Sequence, residues 1–154
     1  MKYQIFFFLL CLFPGCNLVT LEDGSVEGIV AGPRTVPSSE EQIESILVGD
    51  SKRTWKAYQF TLLGNAGFQN CRLDDQMVLS IDKSYSYSGG QVLCGAEDNK
   101  EFKSGNWFVQ NDKLIFVENE QTQYAAQILG LVQDTLVIRG TYLGLEIKGL
   151  YIAN

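Results

Sequence analysis

Two pairs of neighbouring acids are the residues of this chain whose spacing could support chemistry: Asp74-Asp75 and Glu97-Asp98. Two close carboxylates can share a proton as a general acid–base pair, or they can bind Ca²⁺. Adjacent residues of a strand point to opposite faces, so neither pair converges on one point unless it lies in a loop. Both pairs flank predicted turns, and solvated acids beside turns are the simpler interpretation.

The absence of histidine narrows the chemistry further, because the sequence contains none. Histidine is the most usual general base, activator of nucleophiles and zinc ligand. The chain also lacks a Gly-x-Ser-x-Gly nucleophile elbow and a phosphate-binding glycine loop. These features predict a protein that is not an enzyme and that uses no cofactor or metal.

The first sixteen residues predict export. Lys2 precedes an apolar run over residues 5–13, which is too short to span a bilayer and leads to Gly15-Cys16. This end resembles the lipobox of bacterial lipoproteins, in which the cysteine thiol receives a diacylglycerol and the signal is cut just before it. The resemblance implies a signal peptide over residues 1–15 and a lipid anchor at Cys16. The alternative is an ordinary secretory signal, which would leave a soluble protein.

Three cysteines follow the predicted cut: Cys16, Cys71 and Cys94. If Cys16 carries lipid, the other two form an even pair in an oxidising compartment, where a disulfide is the default. Such a bridge would stabilise the domain by about 3 kcal/mol. A metal-binding or redox pair is the alternative, but the chain has no histidine and no Cys-x-x-Cys motif to support it. Cys11 lies inside the predicted signal and is expected to leave with it.

The charge of the chain argues against two classes of partner. The cut removes Lys2 and no acid, so the formal net charge becomes −7, against −6 for the full chain. Nucleic-acid-binding proteins carry a basic stripe, and proteins that bind anionic lipid peripherally carry a basic segment. We therefore expect no nucleic-acid partner, and we expect membrane contact through the acyl chains on Cys16.

The mature chain divides into a tether and one domain. Residues 16–37 lack periodicity and contain glycine and proline, which predicts a flexible, lipidated tether. Ser38, with Glu41 three residues later, has the form of a capping box. It precedes a predicted helix over residues 40–48, which Gly49 ends.

The domain, residues 38–154, changes to a period of two after this helix. Alternating segments between turn-like residues predict eight strands, at roughly 52–62, 76–81, 85–89, 102–110, 113–118, 122–131, 134–142 and 145–153. Short connections make consecutive strands antiparallel neighbours, and closure removes exposed edges. The predicted fold is an all-β, eight-stranded, antiparallel up-and-down barrel that follows a short helix and a lipid-anchored tether.

The second hairpin of this barrel predicts its own register. With residues 82–84 as a three-residue loop, Ile81 is expected to face Tyr85 and Leu79 to face Tyr87. An apolar side chain of one strand then faces an aromatic side chain of the other on the same face of the sheet, which is a favourable cross-strand pairing. Carried outward, this register brings the two cysteines of the domain within one residue of being opposite, which supports the disulfide.

A family resemblance rests on the order and spacing of five segments: Ser51-Lys52-Arg53-Thr54-Trp55, Cys71-Arg72-Leu73-Asp74-Asp75, Asp82-Lys83-Ser84-Tyr85-Ser86-Tyr87, Gly105-Asn106-Trp107 and Thr135-Leu136-Val137-Ile138-Arg139-Gly140. Over about residues 48–154 they resemble the lipocalin-like domains of bacterial lipoproteins, especially those of Bacteroidetes. The resemblance implies a lipocalin-like barrel from a superfamily that binds ligands, although a shared fold does not establish a shared function.

Six aromatic residues are the candidate ligand-lining or core residues: Trp55, Tyr58, Tyr87, Trp107, Tyr124 and Tyr142. An eight-stranded barrel can hold one small ligand or be filled by side chains. A filled core is favoured, because bulky side chains are abundant in so short a barrel. Trp107 is expected to point inward on the same face as Gly105 and Val109.

The sequence as a whole favours a lipid-anchored, non-enzymatic binding protein of the bacterial cell envelope. The outer membrane, facing the periplasm rather than the cell surface, is the favoured location. The implied ligand is a small apolar or amphipathic molecule at the barrel mouth. The alternative is an interaction or inhibitor module whose filled barrel displays loops to another envelope protein. A continuous aromatic cavity would favour the first function, and a packed barrel with exposed apolar side chains would favour the second.

Overall fold

The computed structural model describes residues 32–65, 70–94, 102–120, 122–142 and 144–154, without the side chains of Phe102, Thr122, Gln123 and Tyr142. The predicted signal peptide, Cys16, most of the predicted tether and the Glu97-Asp98 pair lie outside these residues. Within the described ranges, no helix is long and apolar enough to cross a membrane.

Eight antiparallel strands follow one helix and close into a barrel. Each strand pairs with its neighbours in sequence, and β8 pairs with β1 to complete the ring. The elements are α1 (Glu40–Val48), β1 (Lys52–Leu62), β2 (Gln76–Ser80), β3 (Ser84–Ser88), β4 (Phe102–Gln110), β5 (Lys113–Glu118), β6 (Thr122–Val132), β7 (Thr135–Tyr142) and β8 (Leu145–Ala153). The predicted all-β, up-and-down architecture is confirmed.

Helix α1 has the predicted bounds, Glu40–Val48, but its N-cap lies one residue later than the predicted capping box places it. Ser39, not Ser38, is the N-cap: its backbone is extended, and its hydroxyl accepts the N–H of Gln42 at 3.2 Å. The cap has to lie three residues before the amide it satisfies, and here that amide belongs to Gln42 rather than Glu41. The helix ends at Gly49, whose φ of 60° suits a residue without a side chain.

The helix closes one end of the barrel. Ile43 and Leu47 are fully buried, and the indole N–H of Trp55 donates to the carbonyl of Leu47 at 2.9 Å. Arg53 donates to the carbonyls of Ile46 and Gln133, at 2.9 and 2.7 Å, and so ties the last turn of α1 to the β6–β7 turn. We call this the closed end. The α1–β1, β2–β3, β4–β5 and β6–β7 connections lie at this end. The opposite end, which we call the open end, carries the connections β1–β2, β3–β4, β5–β6 and β7–β8.

The register of the β2–β3 hairpin differs from the prediction by two residues. Leu79 lies opposite Tyr85 rather than Tyr87, and Ile81 belongs to the turn. Lys83 adopts a left-handed conformation with φ of 67°, and a carboxylate oxygen of Asp82 accepts the N–H of Ser84 at 2.9 Å. A three-residue loop that ends in a left-handed residue fits the strand twist. Because the shift is even, the same faces still meet.

Side chains fill the barrel from the closed end upward. The buried core cluster includes residues of α1 and of all eight strands. Trp107 and Val109 point into it, 1% and 5% exposed, on the inward face that the strand alternation predicts.

The described part of the predicted tether lies against the outside of the barrel. Leu131 donates its N–H to the carbonyl of Thr35 at 2.8 Å. The carbonyl of Pro33 covers Gly130, where an added Cβ would come within 1.7 Å of that oxygen. With these contacts, the segment before α1 crosses β6 and continues into the helix.

Candidate functional site

The six aromatic candidates occupy different parts of the barrel. Trp55 and Trp107 are core residues, 0% and 1% exposed, and the indole N–H of Trp107 donates to the carbonyl of Ser80 at 3.1 Å. Tyr58 is 68% exposed, because Trp55 and Ala57 point inward and the alternation of the strand turns Tyr58 outward. Tyr58 therefore belongs to neither the core nor an interior lining. The side chain of Tyr142 lies outside the described set.

The remaining two, Tyr87 and Tyr124, lie at the open end. Tyr87 is opposite Met77 and Tyr124 is opposite Phe116, so both side chains are on the inward face. Lys103, opposite Tyr87, places its ammonium 5.3 Å from the centre of the Tyr124 ring. This cation–π contact crosses the end of β5 between two strands that are not neighbours.

A buried carboxylate is the central polar group of this end. Asp75 precedes β2, and the alternation that buries Met77 and Leu79 also turns Asp75 inward, where it is 1% exposed. Its Oδ2 atom accepts the hydroxyl of Tyr87 and lies 3.4 Å from Nη1 of Arg72. Its Oδ1 atom is buried and has no hydrogen-bond partner. A buried oxygen without a hydrogen-bond partner destabilises the fold. A hydrogen-bond donor from a bound molecule would therefore be favoured at this atom.

Burial sets the protonation of this cluster. Loss of hydration raises the pKa of Asp75 to about 6, against the opposing hydrogen bonds from Tyr87 and Arg72. Burial also raises the pKa of Tyr87 and of the neighbouring Tyr151 well above the ordinary tyrosine range. Both phenols therefore stay protonated as donors, while the carboxyl group changes charge near neutral pH.

Two links brace the long loops over this cluster. The predicted Cys71–Cys94 disulfide is confirmed and joins the β1–β2 and β3–β4 connections, with Cα atoms 5.0 Å apart. Asp74 accepts the N–H groups of Gln91 and Val92 at 2.6 and 3.0 Å, and these bonds lower the pKa of its carboxyl group. Asp74 thus faces a loop while Asp75 faces the barrel, so the two carboxylates do not form a dyad.

Exposed apolar side chains concentrate at the same end. Eight large apolar side chains among the described residues are at least 40% exposed. Ile81 and Val132 lie at the closed end and Tyr58 on the side wall. The other five, which we call the rim, are Leu63, Val92, Leu93, Tyr124 and Leu145.

Sequence reasoning missed the polar residues of this site. Asp75 was interpreted as a solvated turn residue, although extending the alternation of β2 back to it would have placed it inward. The same extension from Trp107 places Lys103 on the inward face. No local signal identifies Arg72, because its position depends on how the β1–β2 loop folds over the barrel.

The site has no arrangement typical of a metal centre. Within the described residues, no group of three or more His, Cys, Asp or Glu side chains is placed to hold a metal ion. The chain matches no protein-family model and no curated protein.

Proposed function

We propose that this chain is a lipid-anchored, non-enzymatic protein of the bacterial cell envelope that binds a partner protein through the rim. The filled barrel is the observation that supports this function over a deep ligand cavity. The tryptophans that could have lined such a cavity are buried in the core and hydrogen-bonded to backbone carbonyls. Binding then falls to the loops of the open end.

The bracing of those loops supports recognition. A loop that is ordered before binding loses less conformational entropy when a partner arrives. The disulfide fixes one point of contact between the two long loops, and Asp74 fixes a second at Gln91 and Val92. Val92 and Leu93 are thereby displayed on a rigid support, as functional loops on a scaffold commonly are. The lipobox resemblance at Cys16 supports the envelope location.

A small amphipathic ligand is the second candidate, and the free Oδ1 of Asp75 favours it. A hydroxyl or amine group of such a ligand would supply the missing donor. The apolar part would lie against Tyr124 and the rim. This function requires the loops to admit the ligand to a carboxylate that is now buried.

A matched pair of charge variants tests the first function. Leu93→Asp places a charge on the rim, whereas Ile81→Asp places one on an exposed apolar side chain at the closed end. Photo-cross-linking from position 92 in intact envelopes should give one defined adduct, which Leu93→Asp abolishes and Ile81→Asp preserves. Equal loss in both variants, or no adduct in the parent, would contradict binding through the rim.

Native mass spectrometry of the full chain from its own envelope tests the second function. A bound small molecule that Asp75→Asn releases would support it. Protein that carries only its acyl chains would speak against it.

A further inference from the structure

A row of three basic side chains and one glutamine crosses the outer wall of the barrel. The strand register places Lys113 opposite Gln127, Gln127 opposite Arg139, and Arg139 opposite Lys148. Directly opposed residues on one face have Cβ atoms about 4.5–5.5 Å apart. The four side chains therefore form one continuous row across β5, β6, β7 and β8, on the outer face of the barrel.

The charges of this row are only partly neutralised. Lys148 lies 3.6 Å from the carboxylate of Glu146, whereas neither Lys113 nor Arg139 forms an ion pair with another described residue. With Glu146 included, the local formal charge is +2, in a chain whose formal net charge is −6. Like charges directly opposite each other, as at Arg139 and Lys148, destabilise a sheet. An anion bound beside Arg139 would weaken this repulsion.

A depression lies beside the row, where the hydrogen-bonded ladder between β6 and β7 ends. The β6–β7 ladder ends at the Gln127–Arg139 pair, although both strands continue, and a continued ladder would pair Ala125 with Thr141. Ala125 and Gly140, which lie at this point, have small side chains that occupy little volume. The resulting depression has a volume of about 220 Å³ and is lined by Lys113, Ala125, Gln127, Arg139, Gly140, Thr141 and Glu146.

We propose that this depression binds an oxyanion, a phosphate or carboxylate group, between Lys113 and Arg139. The planar guanidinium of Arg139 can donate two parallel hydrogen bonds to such a group, and Lys113 supplies a second charge. Thr141 adds a hydroxyl donor. Gln127 has one amide hydrogen directed at the carbonyl of Asp112, at 3.2 Å, which leaves the other for the ligand.

Size restricts the occupant to a small group. Pockets for drug-sized ligands usually measure about 300–1,000 Å³, so this depression suits one anionic group rather than a whole large ligand. That group could belong to a free phosphorylated or carboxylated molecule, or to a phospholipid headgroup beside the anchored protein. The oxyanion chemistry is the same for both sources, and the experiment separates them.

Titration of the full-length protein in non-ionic detergent with inorganic phosphate tests the proposal. Backbone amide NMR signals of Lys113, Gln127 and Arg139 should shift and saturate. Arg139→Gln should weaken phosphate binding by about tenfold or more, the loss expected for one charge-assisted hydrogen bond. Lys52→Gln, which removes a charge from an exposed lysine at the closed end, should leave the affinity unchanged. Glu146→Gln should tighten binding, because it removes the opposing carboxylate.

Doping the micelles with phosphatidylglycerol identifies the source, with phosphatidylcholine as the control. If phosphatidylglycerol displaces phosphate and phosphatidylcholine does not, the site binds a lipid headgroup. If neither lipid displaces phosphate, the site binds a soluble anion. Failure of both phosphate and phosphatidylglycerol to shift these amides would overturn the proposal, as would equal weakening by Lys52→Gln. If Arg139→Gln folds poorly, Lys113→Gln provides the same test. Rim variants should leave phosphate binding intact, so this result is independent of the proposed partner.

Discussion

The hydroxyl of Tyr87 donates to the carboxylate of Asp75, twelve residues earlier in the chain, and joins β3 to the start of β2 inside the open end. The bond holds a carboxyl group in surroundings that water does not reach. Arg72 lies against the same oxygen, so one side of Asp75 is satisfied twice and the other not at all. Burial thus raises the pKa of the Asp75 carboxyl group and favours its neutral form.

Stability should fall as pH rises through the titration of Asp75. Its pKa is about 6 in the folded protein and 3.8 in the unfolded reference, so the folded state holds the proton more tightly. The contribution of Asp75 is fully present below about pH 4 and is lost as the pH rises through about 6, a change of about 3 kcal/mol. Asp75→Asn does not titrate. Its melting temperature relative to the parent should therefore increase between these pH values.

Asp50→Asn is the control for this experiment, because Asp50 is an exposed acid at the closed end. Its melting temperature should follow the parent across the same pH range. Parallel curves for the parent and Asp75→Asn would mean that Asp75 is already ionised at low pH, contrary to the effect of its burial.

Reduction of the Cys71–Cys94 bridge should destabilise the domain and release the loops. A loop of this length corresponds to about 3 kcal/mol, or roughly 12 °C in melting temperature for a domain of this size. Hydrogen exchange should increase most at Gln91 and Val92, whose amides Asp74 holds. A Cys71→Ser/Cys94→Ser variant separates bridge loss from effects of the reductant. Two free thiols in the unreduced folded protein would disprove the bridge.

Trp107→Ala should cost about 3–5 kcal/mol, because it empties a large volume in a packed core. Trp107→Phe should cost less, since it keeps most of that volume and loses the hydrogen bond to Ser80. Chemical denaturation measures both. A small loss for the alanine variant, together with tryptophan fluorescence in the parent that responds to an apolar probe, would instead indicate an accessible cavity.

The strands and their order can be predicted from short-range sequence patterns. The open-end site depends on contacts between loops and strands, which those patterns do not determine. Alternation of apolar residues located all eight strands and turned Trp107 inward, because period two is a property of the strand itself. It could not set the β2–β3 register, which depends on the left-handed backbone of Lys83. Nor could it reveal the contact of Arg72 with Asp75, because that contact requires the β1–β2 loop to fold back over the barrel.

Cys16→Ser should move the protein from the membrane fraction to the soluble fraction, because one serine hydroxyl replaces the thiol that the proposed lipid requires. Mass spectrometry should show loss of the acyl chains. Cys11→Ser is the matched control, since Cys11 lies within the proposed signal and should be absent from the mature chain. Retention of Cys16→Ser in the membrane would contradict the anchor.

Gly105→Ala should weaken the packing of β4 on β5 at the level of the core. A Cβ at Gly105 would lie 2.1 Å from the carbonyl oxygen of Val117, so one backbone must move. Overpacking of this kind typically costs about 1–3 kcal/mol. At Gly140 the nearest atom would be 3.6 Å away, which is ordinary contact, so Gly140→Ala should be tolerated. Denaturation of the two variants compares the same added methyl group. Equal stability would mean that β5 gives way at Val117 without loss, and that the core beside Trp107 is less tightly packed than its burial indicates.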